Sequence, residues 1–196
     1  MDLSDPKEAH LHYLRAARGS LLDKVDGLSE RDARMPRTPT GTSLAGILLH
    51  CANVELVYFG PTFGRTWPEP DHPCAISEDR YAADPQADWL LPAEVPLTEL
   101  VDFYRRVGAF ADATIEATPI DGPGKVAHWG DEDVTLQRIL IHTGGDLDRH
   151  AGQADILREG IDGAVGWHGA GNNVPDGVDW PAYVARARAI AESFPA

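Results

Sequence analysis

Two segments of the sequence place histidine and aspartate side chains where they could chelate a metal ion. The segment DLDRH sets Asp146 and His150 four residues apart within a helical pattern. Residues four apart on a helix lie one turn apart on the same face, so both side chains could contact one ion. His50 follows Ile47 and precedes Val54 at spacings that turn it with these apolar residues toward the core. Two imidazoles and one carboxylate leave coordination positions open for water or substrate, which is typical of catalytic metal sites.

A structural interpretation of the same residues stays open at this point. A histidine on an apolar helix face is more often a hydrogen-bonded core residue than a ligand, and Asp146 could pair with Arg149 or His150. Gly144 and Gly145 interrupt the helical pattern before Asp146, at about 1 kcal/mol each relative to alanine. They could let another helix approach closely, or they could leave room for a cosubstrate beside a metal ion.

The remaining histidines and the cysteines have weaker claims to a role. His142 lies one turn before Asp146 and could be a spare ligand or a residue that supports the ligands. Cys51 and Cys74 are too few for a disulfide framework and are expected to be reduced thiols. Five histidines have no partner at a matching spacing and are expected on the surface or in loops: His10, His12, His72, His128 and His168.

The elements that must position these residues are amphipathic helices. Apolar spacing and cap residues predict four long ones: from about Pro6 to Gly27, from Thr42 or Ser43 to Gly60, from Leu97 to before Pro119, and from Asp133 or Thr135 to Gly160 or Gly163. A short last helix, from Trp180 to about Phe194, is expected to pack over the others.

The connections are consistent with an all-α fold. Residues 61–96 hold seven of the 15 prolines, which predicts a long loop after the second helix that covers one end of the molecule. No segment has a strand pattern. The sequence therefore predicts a four-helix bundle with a short C-terminal helix, built as one domain over residues 1–196, whose site is formed by inward side chains on facing helices.

Composition excludes several classes of partner. The formal net charge of -14 would repel nucleic-acid phosphates and anionic membranes, and no run of lysine and arginine offsets it. The N-terminal residues MDLSDPKEAH have neither the basic start nor the apolar segment of a signal peptide, and the longest uninterrupted apolar runs are too short to cross a bilayer. We therefore expect a cytoplasmic protein whose partners are small molecules.

Two long segments of the chain resemble a known family. The segments GLSERDARMPRTPTGTSLAGILLHCANVELVYFG and VTLQRILIHTGGDLDRHAGQADILREGIDG are similar to the two signature segments of the DinB/YfiT-like superfamily, in particular its mycothiol-dependent, maleylpyruvate isomerase-like branch in actinobacteria. This resemblance implies a four-helix bundle, a homodimer, and a divalent metal held by one histidine of the second helix and two ligands of the fourth. His50, Asp146 and His150 occupy those positions.

The sequence departs from this branch at two positions around the metal. Asp146 stands where the isomerase-like members usually carry glutamate, so its side chain is one methylene shorter. Gln153 stands where close relatives often carry another histidine, and its amide could still hydrogen-bond a ligand.

The resemblance and the ligand set together predict a metal-dependent thiol transferase. The metal is expected to be Zn²⁺, with Ni²⁺ or Fe²⁺ as alternatives, and the cosubstrate to be mycothiol, whose sulfur attacks a small electrophile. No catalytic serine, cysteine or base is evident, and the loop over residues 61–96, with Trp67 and Trp89, could close over the electrophile. Two other hypotheses stay open: a non-enzymatic bundle that binds a small molecule or a metal, and a 2-His-1-carboxylate iron enzyme.

Overall fold

The computed structural model describes residues 2–167, 171 and 173–195, and these residues are mostly helical. Within them lie seven α-helices and one two-stranded sheet. The helices are α1 (Pro6–Asp23), α2 (Glu30–Arg34), α3 (Leu44–Phe59), α4 (Glu78–Ala83), α5 (Leu97–Ala117), α6 (Leu136–Asp162) and α7 (Trp180–Glu192), and the strands are β1 (Pro123–Val126) and β2 (Glu132–Thr135).

Helix α3 lies at the centre of the fold, in contact with both α5 and α6, while α1 packs against α6 and α5. The Ser43 hydroxyl caps its start by accepting a hydrogen bond from the Gly46 amide, and Gly60 ends it, as the sequence predicts. The span Leu44–Phe63 is long and apolar enough to cross a membrane by length and composition alone, but 83% of its apolar 18-residue window is buried inside the protein. Its apolar character is therefore that of a core helix.

A buried ion pair ties three of the long helices together. Both Arg18 of α1 and Glu55 of α3 are buried, and the guanidinium donates two hydrogen bonds to the carboxylate, at 2.6 and 3.0 Å. A third bond, of 3.1 Å, reaches Asp112 of α5. A Cβ atom at Gly108 would lie 2.8 Å from the Arg18 Cδ, so α5 can pass this close to the arginine only without a side chain there.

Helix α6 carries the second half of the site. The Thr135 hydroxyl accepts a hydrogen bond from the Arg138 amide at its start, and Gly163 ends it in the left-handed conformation, at a φ of 76°. These caps lie among those that the sequence predicts.

The prediction of a chain without strands is wrong in one place. Before α6, β1 and β2 pair antiparallel, with Pro123 opposite Thr135 and Val126 opposite Glu132. Each strand has only four residues, and the side chains do not alternate regularly between buried and exposed. So short a pair has no periodic sequence signal, and it forms because the chain reverses at this point.

The segment over residues 61–96 contains no long element but is more ordered than a loop. It includes helix α4 and two single turns of 3-10 helix, Pro61–Phe63 and Ala87–Trp89. Helix α2 was not predicted either. These elements are too short for apolar periodicity to indicate them.

The prediction for the last helix is right about its residues and wrong about its packing. Helix α7 begins at Trp180, as predicted, but every residue in it is exposed, and the Ile190 side chain is 60% accessible. An apolar stripe shows that a helix is amphipathic, but it does not identify the surface that the stripe contacts.

We expect Glu55→Gln to destabilise the fold by about 3–5 kcal/mol, because it removes one charge of a buried pair and leaves the Arg18 guanidinium without its main counter-ion. The free energy of unfolding from urea denaturation measures the change. The matched control is Glu116→Gln, because Glu116 pairs with Arg15 at the surface and is 63% exposed, so this change should cost less than about 1 kcal/mol. Equal losses of unfolding free energy in the two variants would show that the buried ion pair stabilises the fold no more than the surface pair does.

Candidate metal centre

The structure brings His50 of α3 together with Asp146 and His150 of α6. One potential ligand atom of each residue lies within 4.8 Å of the other two. The Asp146 carboxylate faces both rings, with 3.9 Å from Oδ2 to His50 Nε2 and 3.7 Å from Oδ1 to His150 Nε2. Ligand bonds of about 2.0–2.1 Å in a tetrahedral site put ligand atoms about 3.3 Å apart, so the three side chains would have to move closer together to bind one ion.

Hydrogen bonds on the far side of each ring fix which nitrogen faces the centre. His50 Nδ1 lies 2.6 Å from Asp88 Oδ2, and His150 Nδ1 lies 2.8 Å from Gln153 Oε1. Because both partners are oxygen acceptors, each Nδ1 donates a hydrogen, and in the neutral ring the lone pair then lies on Nε2, which faces Asp146. Metal-binding histidines are held by the same kind of bond. The prediction that Gln153 hydrogen-bonds one of the three residues is confirmed.

Asp88 is the residue that the sequence analysis missed. It lies on the 3-10 turn Ala87–Trp89, is 4% exposed, and also accepts a hydrogen bond of 3.0 Å from the Tyr81 hydroxyl. Burial and the neighbouring Asp88 charge raise the pKa of Tyr81, so its phenol stays a hydrogen-bond donor. Asp88 is separated from His50 by 38 positions in a proline-rich segment, and no spacing rule relates the two.

Gly46, which lies one helical turn before His50, lets the Ala87–Trp89 segment approach α3 closely. A Cβ atom at Gly46 would lie 2.5 Å from the Trp89 carbonyl oxygen, which is closer than any side chain allows. Trp89 then stacks on His50 with ring centroids 4.3 Å apart and also meets the edge of His150. The Trp89 ring therefore covers one side of the candidate centre. Trp67, which we expected beside an electrophile, packs instead against Phe103 and Phe110.

The other side of the centre is open to solvent. The Asp146 side chain is 32% exposed, and no ion pair joins it to Arg149 in the part of the chain that the structure describes. The space around Gly144 and Gly145 is also open, because a Cβ atom at either would meet nothing within 4 Å. Neither glycine serves the close approach of another helix.

The electrostatics of the centre suit a cation. Burial lowers the pKa of His150, which keeps this ring neutral and able to act as a ligand. The separations of 3.7 and 3.9 Å between ring nitrogens and carboxylate are longer than hydrogen bonds. The facing atoms therefore do not hydrogen-bond one another directly, and a shared cation would satisfy all three.

His142 is not among the three potential metal ligands and hydrogen-bonds Tyr58 instead. Its Nε2 lies 3.1 Å from the Tyr58 hydroxyl, which also lies 3.1 Å from His128 Nε2. Thus His128, expected to be isolated, has partners, and so does His72, which hydrogen-bonds Glu99. His10 and His12 lie half-buried on α1, and His168 lies outside the described residues.

Both cysteines are unsuited to act as nucleophiles. Cys51 and Cys74 are free and fully buried. Burial raises the pKa of Cys51 well above its usual value, and it raises that of Cys74 to about 12. Thiols in this state are protonated and unreactive at neutral pH.

Comparison with known protein families gives one match. A family model described as mycothiol-S-transferase (MST) matches residues 10–163, which is more than half of the chain and includes His50, Asp146 and His150. No curated protein matches the sequence.

We expect Asp88→Asn to weaken the binding of Zn²⁺ about 10- to 100-fold, because the neutral amide no longer raises the basicity of His50 or holds its tautomer as firmly. Competition against a chromogenic chelator measures the affinity. The control is Asp71→Asn, which removes an exposed carboxylate from the same segment and should leave the affinity unchanged. If both variants bind Zn²⁺ as tightly as the wild type, Asp88 does not support a metal ligand.

Proposed function

We propose, from the premise that this chain belongs to the mycothiol-S-transferase family of DinB-like proteins, that it is a metal-dependent enzyme which joins the sulfur of mycothiol to a small electrophile. The observation that carries the proposal is that two imidazoles and one carboxylate, from two facing helices, each offer a ligand atom within 4.8 Å of the other two. We infer that the metal is Zn²⁺, and Ni²⁺ or Fe²⁺ would suit the same ligands.

His50, Asp146 and His150 would hold the ion. A divalent cation in this place would bind the sulfur of the cosubstrate and lower the pKa of its thiol, so that it reacts at neutral pH. Three protein ligands leave a coordination position for that sulfur. Asp88 and Gln153 hold the two imidazoles in the required tautomers.

The protein supplies no sulfur nucleophile of its own. Its two cysteines are buried and carry raised thiol pKa values, so neither can attack a substrate. This supports a mechanism in which the reactive sulfur comes from a low-molecular-weight thiol. The Asp146 side chain is 32% exposed, which gives that thiol and the electrophile a route to the centre.

Other parts of the proposal follow the family resemblance. We infer that the four long helices form a DinB/YfiT-like four-helix bundle, that residues 1–196 are one domain, and that the protein is a cytoplasmic homodimer from an actinobacterium. The excess of arginine over lysine is consistent with that source. The net charge of -14 is consistent with partners that are neither nucleic acid nor membrane.

We expect Asp146→Asn to reduce the metal content of purified protein and the rate of mycothiol conjugation together, because it removes the only negative charge of the ligand set. Asp146→Glu should retain both, since it restores the longer side chain of the resembling branch. The matched control is Asp148→Asn, an exposed carboxylate two residues away on α6.

Metal content is measured on protein purified without an affinity tag, and conjugation is followed by mass spectrometry with mycothiol and an alkyl halide. Bound metal without conjugation would favour a binding module, and oxygen consumption with Fe²⁺ would favour an iron enzyme. Equal metal content in wild type, Asp146→Asn and Asp146→Glu would remove Asp146 from the coordination sphere.

A further inference from the structure

Three side chains beside the candidate metal centre form a hydrogen-bonded chain. The Tyr58 hydroxyl of α3 lies between His142 Nε2 of α6 and His128 Nε2 of the turn after β1, at 3.1 Å from each. Trp129 packs against this group, with its ring centroid 4.8 Å from His142 and 5.7 Å from Tyr58. The position of each hydroxyl and imidazole is therefore fixed on more than one side.

The chemistry of a phenol between two imidazoles couples their protonation. The Tyr58 hydroxyl has one hydrogen, so it can donate to only one of the two Nε2 atoms and must accept from the other. One histidine therefore carries its hydrogen on Nε2 and the other carries it on Nδ1. A proton that enters at one Nδ1 can leave at the other through two hydrogen-bond shifts, without any side chain moving.

The chain of groups links the side of α6 that carries Asp146 with the turn after β1. On α6, His142 lies one turn before Asp146, which is about 6 Å along the helix axis, and on α3, Tyr58 lies two turns after His50. His128 and His142 are both exposed, whereas Tyr58 is 8% exposed. Burial raises the pKa of Tyr58, so the phenol stays protonated between the rings.

We propose that His128, Tyr58 and His142 form a proton relay between solvent and the candidate metal centre, with His142 as its catalytic end, and that the relay serves electrophiles whose reaction creates an oxygen anion. This proposal rests on the proposed thiol-transferase function. It specifies the substrate class as epoxides and α,β-unsaturated carbonyl compounds. Alkyl halides need no proton donor, because halide leaves as a stable anion.

The proton balance is complete for an epoxide. The thiol releases its proton to solvent as its sulfur bonds to carbon, the carbon–oxygen bond breaks, and the oxygen takes a proton from His142 Nδ1. Tyr58 then gives its proton to His142 Nε2 and receives one from His128 Nε2, while His128 Nδ1 takes a proton from water. The tautomers return by the reverse shifts, with water as donor and acceptor, once the product leaves.

The test compares two electrophiles, an aryl epoxide and a benzyl halide, with mycothiol and the metal-loaded enzyme. We expect Tyr58→Phe to lower kcat for the epoxide about 100-fold, the size of a lost general acid, and to leave its KM and both constants for the halide unchanged. His128→Gln should act in the same way, because glutamine can hydrogen-bond Tyr58 but cannot pass a proton. The control is Tyr13→Phe, at a tyrosine that is 58% exposed on α1.

A second measurement does not depend on turnover. The ¹⁵N shifts of the metal-free protein should show one of His128 and His142 with hydrogen on Nε2 and the other with hydrogen on Nδ1, and Tyr58→Phe should abolish this complementarity. Identical tautomers in the wild type, or equal loss of both reactions in Tyr58→Phe, would overturn the relay. If the wild-type enzyme conjugates neither electrophile, the proposed transferase function fails, and the substrate class proposed for the relay fails with it.

Discussion

Helix α3 is buried on nearly every side, and this constraint accounts for the polar contacts that its side chains make with other elements. A polar side chain on such a helix needs a partner from another element, because an unpaired polar group in the interior costs roughly 1–3 kcal/mol or more. Each long polar side chain on its inner faces meets this need with a different element. His50 pairs with Asp88, Asn53 with the backbone at Cys74 and Ile76, Glu55 with Arg18, and Tyr58 with His128 and His142.

These pairings also place the segment over residues 61–96. The Asn53 amide donates to the Cys74 carbonyl and accepts from the Ile76 amide, which fixes the middle of the segment against α3. From there α4 and the Ala87–Trp89 turn continue to His50, where Gly46 leaves space for the backbone of the turn. The segment is thus a structural support for one imidazole as well as a cover over the centre.

Helix α6 meets the other requirement of a reactive site, which is access. Its buried residues hold it against α1 and α3, while His142, Asp146 and His150 follow one another at one-turn spacing along the helix. Gly144 and Gly145 beside them face open space. Helix α3 is buried and holds its side chains in fixed positions, whereas the polar side of α6 is accessible to solvent. Two reacting small molecules need both fixed polar groups and access to them.

The sequence by itself determined whatever depends on residues close together in the chain. Caps such as Ser43 and Thr135 act within one turn, so the bounds of α3 and α6 were predictable, and the Asp146–His150 pair follows from helical spacing. Only the tertiary structure decided the rest. The bonds from Asp88 to His50 and from Tyr58 to His128 join residues 38 and 70 positions apart, and the sequence contains no periodicity that could indicate them. The exposed face of α7 shows the same limit, because periodicity records which side of a helix is apolar, whereas packing depends on which surfaces the whole chain brings into contact.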